Sequence, residues 1–257
     1  MTIDKLVRVR KIAGELAGKC RLEFYDHFSA EHALSRDFFF SHPMIIRLRE
    51  DVLPFLNDGF GHGIEHSKKV AIDAGILAII ETKPWNSPID TRRICTLGQM
   101  AGLLHDICRH DEDHARKGAE FSSVILASYP ISHRDREDIA FAVNNHEAFR
   151  EPLRTDDPGR QLLSDILYDA DNFRWGPDNF ITTLWEICSL EDWSVQEIVD
   201  MFPRGMDLMR KINETYRTET GRAYGPEFIR CGLEVGSQVY RFLQEDYEPL
   251  GASCFRN

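Results

Sequence analysis

The sequence predicts an all-α protein, and three observations carry that reading. Period-2 runs of β-branched residues are nearly absent, while apolar side chains recur at spacings of three and four. The breaks between periodic stretches carry turn chemistry: Asn57-Asp58-Gly59, Lys83-Pro84, Tyr129-Pro130, Asp156-Asp157-Pro158-Gly159 and Trp175-Gly176-Pro177. Between those breaks the stretches have the length of ordinary helices.

In chain order, the aromatic-rich run Asp37 to Phe40 reads as part of an N-terminal helix packing on the core, with a lid over a pocket as the alternative. From His66, one face carries His66, Val70, Ala74 and Leu77. After Thr91 a stripe runs through Ile94, Leu97, Ala101, Leu104, His105 and Cys108. The segment from Asp113 aligns His114, Gly118, Ser122 and Ile125; the next aligns Ile139, Val143 and His146, and the next Leu163, Leu167 and Asp171. Near the C-terminus Phe228, Gly232, Val235, Val239 and Phe242 mark a further amphipathic helix, expected to open at Pro226. No internal repeat of fixed period is visible.

Composition bounds the function. A chain of 257 residues, 42% hydrophobic and 28% charged, buries a large core and is expected to be an ordinary soluble domain. The apolar stretch Ala71 to Ile80 contains Asp73 and is too short to span a bilayer, and the N-terminus has no continuous apolar block of the kind a secretory signal needs. Cys20, Cys95, Cys108, Cys188, Cys231 and Cys254 are scattered without a CxxC, which points to reduced thiols and a cytoplasmic location. A net charge of -11 argues against nucleic acid or an anionic membrane as partner. An anionic small substrate then needs a local positive site, which a bound metal would supply.

Five of the expected helices carry, on the inward stripe, a side chain that can bind a metal. A lone histidine on an apolar face is usually a core residue with one satisfied hydrogen bond; five such helices in succession form a pattern. The unusual step is His105-Asp106 after Gly-Leu-Leu. A carboxylate at the end of an apolar stripe is costly to bury unless a cation pairs with it, and a divalent metal meets that need. Imidazole suits Zn, Fe, Co, Ni or Mn, and a carboxylate can bridge two ions.

The order His66, His105-Asp106, Asp171 resembles the H…HD…D signature of the HD-domain superfamily of metal-dependent phosphohydrolases. The surrounding residues match as well: "HGIEHSKKV" around the first histidine, "LLHDICR" with Cys108 where glycine is common, "HARKGAEFSSVIL", "VNNHEAF" and the closing "YDADNF". The resemblance covers about half the chain, from Gly61 to Trp175. It implies one all-helical HD-type domain over residues 1–257, with helical additions before residue 60 and after residue 182. It also implies that Asp171, and not Asp169, is the ligand. The two further histidines make the set similar to those holding two divalent ions, with Mn, Fe, Co, Zn, Ni and Mg all open. His66, His105, Asp106 and Asp171 would surround one ion, and Asp106, His114 and His146 the other. The activity implied is hydrolysis of a nucleotide or other small phosphate ester. Two alternatives stay open: a di-iron oxygenase on the same scaffold, and a regulatory module that binds metal without turnover. The absence of Gly-Tyr-Pro after His146 in "NNHEAFREP" separates the chain from the cyclic-di-nucleotide phosphodiesterase subgroup.

Weaker candidates surround that set. His62, one turn before His66, either positions substrate and protonates a leaving group or is a loop histidine. Arg109 either contacts phosphate or neutralises a neighbouring carboxylate. Arg116, Lys117, Arg150 and Arg174 read as solvated surface charge, with the cleft wall as the alternative. Cys108 reads as a small buried residue. His27, His32, His42, His110 and His133 read as structural or exposed. Trp175, Trp185 and Trp193 fall near or beyond the last motif, which suggests that the C-terminal helices pack near Asp171 and shape its pocket. The oligomeric state is not legible.

Overall fold

The computed structural model describes residues 3–56, 63–185 and 193–245, and every regular element among them is helical. The N-terminal part is α1 (Ile3–Ala17), α2 (Glu23–His27), α3 (Ser29–Ser41) and α4 (Pro43–Val52). The central part is α5 (Gly63–Glu81), α6 (Pro88–Leu104), α7 (His114–Leu126), α8 (His133–Asn144) and α9 (Pro158–Asn172). A 3-10 turn (Phe173–Trp175) and a π-helical turn (Asn179–Thr183) lead to α10 (Val195–Ile212) and α11 (Glu219–Glu245). No helix among the described residues is long and apolar enough to cross a membrane.

Helix boundaries follow local chemistry. Ser132 and Asp135 form a reciprocal capping box at the start of α8, and Ser194 and Glu197 do the same for α10. The Asp157 side chain accepts from the backbone N–H groups of Gly159 and Arg160, with Pro158 in the first turn of α9.

The centre of the fold is the pair α5 and α6, against which α3, α4, α8 and α9 pack. These two helices approach closely because residue 102 has no side chain: a Cβ there would lie 2.6 Å from the Cα of Ala71. The contact fixes His66, near the start of α5, relative to His105, just past the end of α6. A second apolar cluster joins α1, the π turn, α10 and α11 around the fully buried Trp185, whose Nε1–H donates to the Phe180 carbonyl at 2.7 Å.

Three expectations are corrected. The last helix does not open at Pro226. It starts at Glu219, seven residues earlier, because the Thr218 hydroxyl accepts from Gly221 N–H at 2.8 Å and caps the chain there. Asp169 also accepts from the Arg217 and Thr218 N–H groups at 2.8 and 2.7 Å. These ties hold the start of the helix there, although a proline inside a helix costs roughly 3 kcal/mol. His146 lies two residues beyond the end of α8, on a tight turn in which Asn145 N–H donates to the Ala142 carbonyl. Arg174 is not solvated surface charge but is 7% exposed, for the reason given below. The break at Asn57-Asp58-Gly59 and the candidate His62 lie outside the described residues.

Candidate metal centre

Six side chains from five segments converge. His66 comes from α5, His105 and Asp106 from the turn after α6, His114 from the first residue of α7, His146 from the turn after α8 and Asp171 from the last turn of α9. They form two groups, His66 with His105 and Asp171, and Asp106 with His114 and His146. Within each group the potential ligand atoms lie within 4.8 Å of one another.

In the first group His66 Nε2 lies 3.0 Å from His105 Nε2 and 3.2 Å from Asp171 Oδ1, and His105 Nε2 lies 3.6 Å from Asp171 Oδ1. Atoms bound to one ion at ~2.1 Å stand roughly 3–3.4 Å apart, so this set fits a common cation closely. The second group is wider: His146 Nε2 and His114 Nε2 lie 3.5 and 4.0 Å from Asp106 Oδ1. Asp106 faces both. Its Oδ2 lies 3.4 Å from His105 Nε2 and 3.7 Å from His66 Nε2, while its Oδ1 faces His114 and His146. One carboxylate presenting a different oxygen to each group is the geometry a bridging ligand requires.

The histidines are oriented for this. His105 Nδ1 is 2.8 Å from the Gly102 carbonyl and His146 Nδ1 is 2.5 Å from the Val143 carbonyl. A carbonyl can only accept, so Nδ1 carries the proton in each ring. The Nε2 lone pair of the neutral ring then points at the site, the arrangement common in metal-ligating histidines.

The electrostatics also call for positive charge. Burial disfavours an imidazolium at His105, but Asp106 and Asp171 outweigh it and push the ring up to about 10. Burial likewise opposes the charge on Asp106, yet His105 and Arg109 hold it well below the usual carboxylate range. Asp171 and Asp169, two residues apart on one helix, face opposite environments. His105 and His66 overcome burial and hold Asp171 low. Burial pushes Asp169 up to about 7 against the pull of the two backbone N–H groups at the start of α11. Asp169 therefore ties the last helix to α9 and stands apart from the ligand groups.

Of the weaker candidates, Arg109 does neutralise a carboxylate: its Nη1 donates to Asp106 Oδ2 at 2.5 Å, and it lines the cavity described next. Arg174 donates to Asp73 and, at 2.6 Å, to Asp178, and its Nη2 also donates to the Tyr25 hydroxyl at 3.2 Å. These acidic partners from α5 and the start of the π turn make its burial tolerable. Arg116 pairs with Asp113 and Glu120 on the surface, Lys117 lies 3.4 Å from exposed Asp111, and half-exposed Arg150 reaches Asp113 and Glu147. Cys108 is half-buried and holds no place in either ligand group.

A cavity of about 690 Å³ opens on the centre. His66, Asp106, His114, His146 and Asp171 form part of its wall, together with Arg109, Arg174 and Arg204. Trp175 and Trp193 also line it, as expected, whereas Trp185 packs in the second apolar cluster. Glu147, Phe149 and Asn179, which sequence reasoning does not single out, line it too. Phe149 carries no sequence signal at all. Its φ of 65° is a left-handed conformation that a bulky residue rarely adopts.

No family model and no curated protein matches the chain. Among solved structures it is similar to a predicted HD superfamily hydrolase from an uncultured Thermotogales bacterium, at 23% identity and a TM-score of 0.47, over 79% of this chain and 93% of that one. A likeness of that degree adds nothing to the assignment of the site.

Proposed function

We propose that the chain is a metal-dependent hydrolase of phosphate esters, with divalent ions held by His66, His105, Asp106 and Asp171 and by Asp106, His114 and His146. The observation that carries this reading is the position of Asp106 between the two ligand groups, one oxygen towards each, on the wall of a cavity large enough for a small organic ligand. When bound, such a pair of ions supplies charge neutralisation for a phosphoryl group and lowers the pKa of a water.

The rest of the chemistry belongs to the protein. The Gly102 and Val143 carbonyls hold His105 and His146 in the tautomer that offers Nε2 to the site. Arg109 fixes the Asp106 carboxylate and adds a positive charge beside it. Arg204 lines the same cavity and brings positive charge to it, although the chain as a whole carries a net charge of -11; the charge of Arg174 is already matched by Asp73 and Asp178. Arg174 is held from two sides by Asp73 and Asp178 and enters the wall already oriented.

The test is release of inorganic phosphate from a panel of phosphomonoesters and nucleotides by protein loaded with Mn, Co, Zn, Ni or Mg, with oxygen consumption followed in parallel on iron-loaded protein. Phosphate release that disappears in His105→Ala supports the reading. Full metal content without phosphate release from any ester, or oxygen uptake by the iron form on an organic substrate, would remove it in favour of a binding module or an oxygenase.

A further inference from the structure

The cavity is far more apolar than a phosphate site needs to be. Besides the ligands, the three arginines, Glu147, Asn179 and Thr183, its wall includes Phe180 from the π turn and Ile198, Met201, Phe202 and Met206 from α10, with Leu184 just after the π turn. Two of its large apolar side chains are exposed. Met201 is 36% exposed, and Phe149, at the edge of the same cavity, is 50% exposed and meets Trp175 edge-on at a centroid distance of 6.1 Å. Single exposed apolar side chains are ordinary on a protein surface; here both stand at the rim of one cavity.

The backbone of this wall departs from regular helix in two places. Asn179–Thr183 is a π-helical turn, a local distortion found often at functional sites, and it brings Asn179, Phe180 and Thr183 to the cavity. In the middle of α10, Gly205 lines the cavity, and a Cβ built there would meet nothing within 4 Å. Glycine inside a helix is destabilising, and no neighbouring atom of the described residues requires it here. Gly205 is exposed, and the open space in front of it adjoins the cavity beside Met201 and Met206.

Resting on the hydrolase reading above, we infer that the substrate is a phosphate ester of a hydrophobic alcohol, its phosphoryl group at the Asp106 centre and its apolar body against the π turn and α10. A nucleoside presents polar base edges and ribose hydroxyls, which need partners when they leave water. Towards the π turn and α10 the wall offers few: Asn179, Thr183 and Arg204 are its polar side chains there, against Phe180, Ile198, Met201, Phe202, Met206 and Met209. Methionine suits an aliphatic occupant, because its flexible thioether fills irregular contacts. A long alkyl, branched-chain or fused-ring alcohol satisfies both parts of the cavity.

The experiment uses the metal-loaded full chain and a series of n-alkyl phosphates from ethyl to decyl, below their micelle concentrations, with nucleoside monophosphates for comparison. The expected result is a rise in kcat/KM of about a hundredfold or more from ethyl to decyl, well within what burial of eight methylenes can provide. In Gly205→Leu, the decyl-to-ethyl ratio of kcat/KM should fall at least about tenfold, the loss appearing mainly in KM. A flat series, or nucleoside monophosphates hydrolysed faster than decyl phosphate, would overturn the inference while leaving the hydrolase reading intact. If no ester is hydrolysed, calorimetric binding of the matching alkylphosphonates decides. Affinity rising with chain length keeps the apolar site and removes the hydrolase reading, and affinity independent of length overturns the inference.

Discussion

The Nε2 atoms of His66 and His105 face each other at 3.0 Å, and His105 has its Nδ1 committed to the Gly102 carbonyl. Two neutral imidazoles cannot both point lone pairs at that distance without repulsion, so the pair requires a proton or a cation between them. Removing metal with a chelator should therefore lower the thermal midpoint, and adding Mn or Zn back should raise it. The gain amounts to about 2.7 kcal/mol at a metal concentration a hundredfold above Kd. Differential scanning calorimetry reads the shift; a midpoint indifferent to chelator and metal would contradict the reading.

Asp106→Ala should be the most damaging single change to metal binding. The carboxylate stands between both groups, so its loss depletes both. Groups that merely orient a ligand are worth 10–100-fold in affinity or activity, so a shared ligand should cost more than about a hundredfold. Metal analysis alongside turnover checks it, and full metal with normal activity in this variant would exclude the assignment.

His114→Ala and His146→Ala should behave differently from His105→Ala. Both residues face Asp106 Oδ1, and neither belongs to the group of His66, His105 and Asp171. Each substitution should lower metal content towards about one ion per chain while leaving the first group able to bind. Equal loss in all three variants would mean that the two groups do not bind separately.

Arg174→Met should destabilise the fold by about 3–5 kcal/mol, because it strands the buried Asp73 carboxylate. For a chain of this size that is a fall of roughly 10 °C in Tm. The double variant Arg174→Met with Asp73→Asn should recover part of the loss, since the uncompensated charge is gone. Urea titration of the two variants gives the comparison, and equal stability of wild type and Arg174→Met would show that the pair contributes nothing.

Much of this arrangement is legible in the amino-acid sequence. The spacing of apolar residues locates the helices that carry His66, His114 and Asp171, because each ligand lies in phase with a stripe that must face the core. Asp169 is held by the Arg217 and Thr218 N–H groups, and Asp171 stands with His66 and His105. Arg174 reads as surface charge because its partner Asp73 lies 101 positions away, and no local pattern signals a buried ion pair of that span. The start of α11 is displaced in the sequence reading because a proline is a strong local signal, while the tie from Asp169 to Thr218 spans 49 positions. The apolar wall is hidden for a related reason. Phe202, Met206 and Met209 recur with helical spacing, and a stripe that lines a cavity has the same periodicity as one that only fills a core.

The central claim is that Asp106 joins two metal-binding groups, and metal content per chain tests it most directly. The measurement is inductively coupled plasma mass spectrometry on protein purified without chelator or nickel resin, before and after metal is added back. The account predicts about two equivalents of a divalent metal per chain, falling to near none in Asp106→Ala. No bound metal in the wild-type chain, even after reconstitution, would contradict it.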